Sequence, residues 1–192
     1  MFANKFCINP LLLRILLLVF TIVAASEDSL MIIKQQMVLV IRALYFCMAE
    51  QWSELGKKHN ISPAQQHILF LLSVNPSLTP TQISQLGCWH ISTVTRLLKP
   101  LENNGLISIS PDTIQRKCKK VSISEEGKKL ITHVLQSAQQ LEHFPFPMDH
   151  LSETEIVNFL ECGHRILEVL KGKDFYKKVI NAQVEGFDYQ GS

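Results

Sequence analysis

Glycine and proline are scarce, eight of each in 192 residues, which excludes fibrous and low-complexity architectures. Cysteine is thin as well. Cys7, Cys47, Cys88, Cys118 and Cys162 are odd in number, stand far apart and form no CxxC pair. That excludes a disulfide scaffold and implies reduced thiols in a cytoplasmic protein. No phosphate-cradling glycine loop, HExxH or GxSxG is present, so nothing marks an enzyme. Cys88-Trp89-His90 and Cys162-Gly163-His164 each pair a thiol with an imidazole, but the four-ligand spacing of a zinc site is missing. No metal or cofactor is expected, and the scattered histidines supply no general base. Excess charge is absent too: 19 Lys+Arg against 17 Asp+Glu give +2. A nucleic-acid site would therefore have to come from local clustering. What the chain does have is apolar bulk. At 46% hydrophobic residues it can form a packed core, and its length suits one domain with helical extensions.

Leu11–Ala25 is an apolar run broken only by Arg14. Three readings stay open: a secretory signal, a membrane anchor, and a stretch upstream of an initiator at Met31 or Met37. Lys5 and Arg14 lie before or within the run and Glu27 and Asp28 after it, so the positive-inside tendency would put everything downstream outside the cytoplasm. A DNA reader could not work there. The expectation is therefore an extension, residues 1–30, outside the functional unit.

From Met31 to Lys58 apolar residues recur at three- and four-residue steps (Ile33, Met37, Val40, Ile41, Leu44, Met48, Trp52, Leu55), predicting one long helix. Ser62-Pro63 predicts the next helix start, with Gln66 as the capping-box partner, and Asn75-Pro76 its end. Thr79-Pro80 with Gln82 repeats the device, and Gly87 closes that helix. Another helix runs from about Ile91 to Asn104, before Gly105. Leu106–Ser110 and Lys119–Ser124 alternate with the two-residue period of strands, joined by turn chemistry at Pro111-Asp112-Thr113. Ser124-Glu125-Glu126 opens a further helix, which Pro145 and Pro147 break. Ser152 with Glu155 opens the next, Gly172 stops it, and Asp174 caps a short last helix carrying Phe175 and Val179. Helix, helix-turn-helix, then hairpin is the order of a winged helix. The fold class is mainly α with a small β-hairpin.

The functional signal sits in two places. On the second helix of the helix-turn-helix, Val94, Leu97, Leu98 and Leu101 make one apolar stripe and leave Ser92, Thr93, Thr95, Arg96 and Lys99 elsewhere. Short hydroxyls allow close approach to a groove, Arg96 can fork onto a guanine edge or a phosphate, and Lys99 can neutralise a phosphate. The hairpin carries Arg116, Lys117, Lys119 and Lys120, four cations in five residues. Projected beside the recognition helix, such an arm can track phosphates or reach a minor groove.

Residues Ile61–Gly127 resemble the winged helix-turn-helix of the MarR family. The matching text is LTPTQISQLGCWHISTVTRLLKPLENNGLIS, a basic wing, and VSISEEGKKL. HISTV and KDFYKKVI are most similar to the protease-production regulators (Hpr-type) of that family. Two departures matter: the wing's usual Asp-x-Arg is replaced by Gln115 and Lys117, removing a salt bridge and a forked donor, and Pro100 lies inside the recognition helix. The resemblance implies dimerisation helices at 31–60 and 128–185 around a DNA-binding region at 61–127, with a tail at 186–192. It implies a homodimeric regulator, a repressor at promoter DNA, whose recognition helices enter major grooves one turn apart. It permits a small-molecule effector, for which Trp52, His67 and Phe70 are candidate cavity residues. A thiol switch at Cys118 would be a further layer. The alternative is a dimeric or membrane-tethered interaction protein that keeps the fold without reading DNA.

Overall fold

The computed structural model describes the backbone of residues 10–111 and 119–184, and side chains from residue 29 onward. It divides into two compact units, residues 1–47 and 48–192. Helix α1 spans Pro10–Lys57 without interruption, beginning 21 residues before the predicted Met31 start. The physical reason is local: Ser26-Glu27-Asp28-Ser29 contains neither proline nor glycine, so nothing separates the leucine-rich run from the helix after it.

In the second unit, α2 (Pro63–Val74), α3 (Pro80–Leu86) and α4 (Ile91–Asn103) precede an antiparallel hairpin of β1 (Ile107–Pro111) and β2 (Lys119–Ile123). Helices α5 (Glu125–Gln139) and α6 (Glu153–Phe175) follow, and a π-helical turn, Tyr176–Ile180, ends the described chain's regular structure. The caps explain most boundaries. Ser62 Oγ accepts from Gln65 N–H, and the Gln65 side chain accepts from Ser62 N–H. Gln65, not the predicted Gln66, thus completes the box, because it stands at the third helical position. Gln66 is buried instead and donates to the Trp52 carbonyl at 2.8 Å. Thr79 with Gln82, and Ser152 with Glu155, form the boxes expected of them.

Ile68, Leu69, Leu71 and Leu72 of α2 are fully buried among Ile83, Val94, Leu98, Leu101, Val121, Ile131 and Val134. Burying each such side chain contributes ~1.5–3 kcal/mol. The hairpin register pairs Ile107 with Ile123 and Ile109 with Val121, which puts Ile107 and Val121 in the core and leaves Ser108 and Ser110 exposed. Leu78, just before α3, adds a two-bond bridge to the other edge of β2 at Val121 (3.0 and 2.8 Å). A lone bridge has no sequence period, so nothing predicted it.

Gly172, at φ 79°, breaks α6 and reverses the chain. Helical geometry resumes at once, so Asp174 lies inside that turn rather than capping it, and its carboxylate accepts from Lys178 Nζ at 2.8 Å. Phe175 and Val179 pack on the core as expected. Asn75 Nδ2 donates to the Leu71 carbonyl and to that of Lys178, joining α2 to the π turn.

Candidate nucleic-acid interface

Helix α4 has two opposed faces. At 100° per residue, Val94, Leu97, Leu98 and Leu101 centre on one side, whereas Ser92, Thr95, Arg96 and Lys99 centre about 180° away. The packing follows this arithmetic: Val94, Leu98 and Leu101 are buried, while Ser92, Thr95, Arg96 and Lys99 are exposed. Thr93 falls between the faces and is half-buried. Among the described residues, no carboxylate pairs with Arg96 or Lys99. Two of the hydroxyls are partly engaged. Thr95 Oγ1 donates to the Ile91 carbonyl at 3.0 Å, and Ser92 Oγ lies 2.8 Å from His90 Nδ1.

Sequence reasoning missed His90. It is the N-cap of α4, its ring nitrogen accepting from Ser92 N–H at 3.4 Å. Its place directly before the first helical residue was the available signal, but histidine is an uncommon cap and was passed over. The turn leading to it is built for space. A Cβ on Gly87 would overlap the Trp89 ring, and Cys88 takes the left-handed conformation at φ 58°. Ser84 then holds Trp89 in place: Ser84 Oγ donates to the Trp89 carbonyl at 2.7 Å, and Trp89 N–H donates back to the Ser84 carbonyl at 3.0 Å. His67 of α2 lies edge-on to the Trp89 ring at 5.3 Å and stacks on Phe70. Burial lowers the His67 pKa below its ordinary 6.5, so the neutral imidazole is favoured.

On the hairpin, Lys119 is exposed and pairs across from Pro111, and half-buried Lys120 pairs across from Ser110. Arg116, Lys117 and the Cys118 thiol lie outside the described residues. Of the three residues proposed for an effector cavity, Trp52 sits edge-on to Phe144 at 5.6 Å and packs on the core with Phe70, while His67 stacks on Phe70.

A capped three-helix core, an outward polar-cationic face on its last helix and a hairpin following it define a winged helix-turn-helix protein. Within that class, residues 61–119 match the model of the MarR family, whose members are transcription regulators, not enzymes. The chain is 22% identical over 112 residues to the HTH-type transcriptional regulator Hpr of Geobacillus thermodenitrificans, covering 58% of this chain and 56% of that protein. It is 23% identical over 111 residues to Hpr of Bacillus mycoides, covering 58% and 60%. The chain thus spans little more than half the length of these relatives. Among solved structures, the transcriptional regulator SlyA superposes with a TM-score of 0.63 at 21% identity, over 72% of this chain and 96% of that one. A mutant MarR from E. coli complexed with operator DNA gives 0.59 at 15% identity, over 69% and 94%.

Proposed function

We propose that the protein is a sequence-specific DNA-binding transcriptional regulator, acting in the cytoplasm as a homodimer and repressing promoters by occupying them. One observation carries the reading: Arg96 and Lys99 stand exposed beside Ser92 and Thr95, opposite the buried stripe of the helix that follows a helix-turn. Arg96 reads a base edge or phosphate, and Lys99, Lys119 and Lys120 neutralise phosphates, with Arg116 and Lys117 of the wing in the same role. Thr93, at the rim, assists the close approach. That a protein of similar fold, a mutant MarR, was solved in complex with operator DNA supports the DNA-binding reading.

Unspent apolar surface supports the dimer. On α6, Phe159, Ile166 and Leu170 share a face and are 46–70% exposed; on α1, Met37, Val40 and Ile41 are 47–55% exposed. A second copy would bury both, and its twofold would set recognition helices ~34–36 Å apart.

The test is a titration of promoter DNA binding against salt. Log affinity should fall linearly with log salt, and Lys99→Gln should reduce the slope by about 1 per chain, hence ~2 for a dimer. A salt-independent association, or an unchanged slope in Lys99→Gln, refutes the reading. One observation favours the alternative interaction protein: Ser29–Lys57 of α1 is long and apolar enough, by length and composition, to cross a bilayer. Sedimentation of the full chain with membranes, together with absent DNA binding, would establish that alternative.

A further inference from the structure

The reversal at Gly172 makes a cleft that the DNA-reading surface does not use. Tyr176 returns against α6, its hydroxyl 2.8 Å from His164 Nδ1 and its ring edge-on to the imidazole at 4.9 Å. Beside this pair lies a cavity of about 370 Å³, lined by Arg165 and Glu168 on one wall and Lys173, Lys177 and Asn181 on the other. That volume falls in the ~300–1,000 Å³ range of small-molecule sites and exceeds what one inorganic ion fills.

Its charge is one-sided: three basic residues, Arg165, Lys173 and Lys177, and a single acidic one, Glu168, line it. Glu168 approaches Lys173 only to 3.9 Å, with both side chains largely in water, a separation at which an ion pair holds its partners weakly. Among the described residues, no carboxylate pairs with Arg165 or Lys177. The returning wall is nevertheless fixed. Phe175 and Val179 anchor the returning segment in the core, and the Asn75 bond to the Lys178 carbonyl ties it to α2. The α6 wall of the cleft also lies away from the proposed dimer face. By helical angle, Arg165 and Glu168 lie opposite the Phe159–Ile166–Leu170 face that a second copy would cover.

The geometry points to a binding site for a small organic anion carrying two or more carboxylates, bridging α6 to the segment after Gly172. Arg165 offers the planar fork that suits a carboxylate, and Lys177 and Lys173 supply point charges from the facing wall. The proposal is independent of DNA reading, and its test uses no DNA.

Citrate is the probe, titrated calorimetrically into the full chain, with ionic strength held constant by sodium chloride. Saturable binding of one citrate per chain is expected, weakened at least tenfold by Arg165→Gln and by Lys177→Gln. Lys58→Gln, which removes a cation outside the cleft, should leave it unchanged. In NMR spectra the His164 ring resonances should move with the same saturation curve. Because Lys177 is exposed, its variant keeps the test decisive should Arg165→Gln fail to fold. No saturable heat, parental affinity in both cleft variants, or equal weakening by Lys58→Gln overturns the site. Tighter binding of pyrophosphate than of citrate overturns the ligand class.

Discussion

Replacing Gly127 by alanine puts a methyl group where three elements meet. The site is in the first turn of α5, where alanine would ordinarily be preferred over glycine by ~1 kcal/mol. Here the added Cβ would overlap the Leu106 carbonyl oxygen and approach Ile123 Cγ1 to 2.8 Å and the Leu106 carbonyl carbon to 3.1 Å. The oxygen cannot simply retreat. It accepts from Ser124 N–H at 3.0 Å, while Ser124 Oγ donates to the Gly105 carbonyl at 2.7 Å and accepts from Gly127 N–H at 3.0 Å. Relief means prising the hairpin base from α5. Overpacking of that kind costs ~1–3 kcal/mol, and one weakened hydrogen bond adds ~1 kcal/mol. Set against the propensity gain of ~1 kcal/mol, the net loss is roughly 1–3 kcal/mol, or ~2–12 °C in Tm for a chain of this size. Thermal and urea unfolding of Gly127→Ala would measure it. Gly163→Ala, mid-helix with nothing within 4 Å of its added Cβ in the chain, is the matched control and should gain up to ~1 kcal/mol. If Gly127→Ala proves as stable as the parent, the close approach of hairpin and helix is wrong.

Two further outcomes are open to direct measurement. The lowered His67 pKa means the unfolded chain takes up a proton before the native one as pH falls through 6.5, so native stability is present above that value and lost below it. Tm should fall from pH 7.5 to pH 5.5, and His67→Gln should flatten that fall; an equal fall in the variant would remove His67 as its source. Thr79→Ala deletes the acceptor for Gln82 N–H at 3.2 Å and should cost ~0.5–2 kcal/mol in urea unfolding, whereas an unchanged midpoint would mean the cap is idle.

Much of the architecture was legible because it is written in local chemistry. Ser62-Pro63, Thr79-Pro80 and Ser152 mark helix starts by supplying an acceptor to orphan amides, and alternation at Ile107, Ile109, Val121 and Ile123 set the hairpin register. The exposed polar face of α4 was legible for the same reason, since a 3.6-residue period fixes which side of the helix is buried. Features that depend on distant partners were not. The Leu78–Val121 bridge spans 43 positions, and the role of Gln66 depends on the Trp52 carbonyl 14 residues away. His90 shows a different failure, a cap made by an imidazole where a hydroxyl or carboxamide is usual. The helix stop at Gly172 was legible, but not that Tyr176 would return onto His164, because that contact depends on the direction of the turn.

The bridge from Leu78 also decides which side of the hairpin is left bare. With β2 bridged on its outer side at Val121, β1 keeps the longer unpaired rim among the described residues, five residues ending in Pro111, which has no amide to offer. A stray strand from a neighbouring molecule would find too short a template to extend, which lowers the risk of copies stitching themselves into sheets.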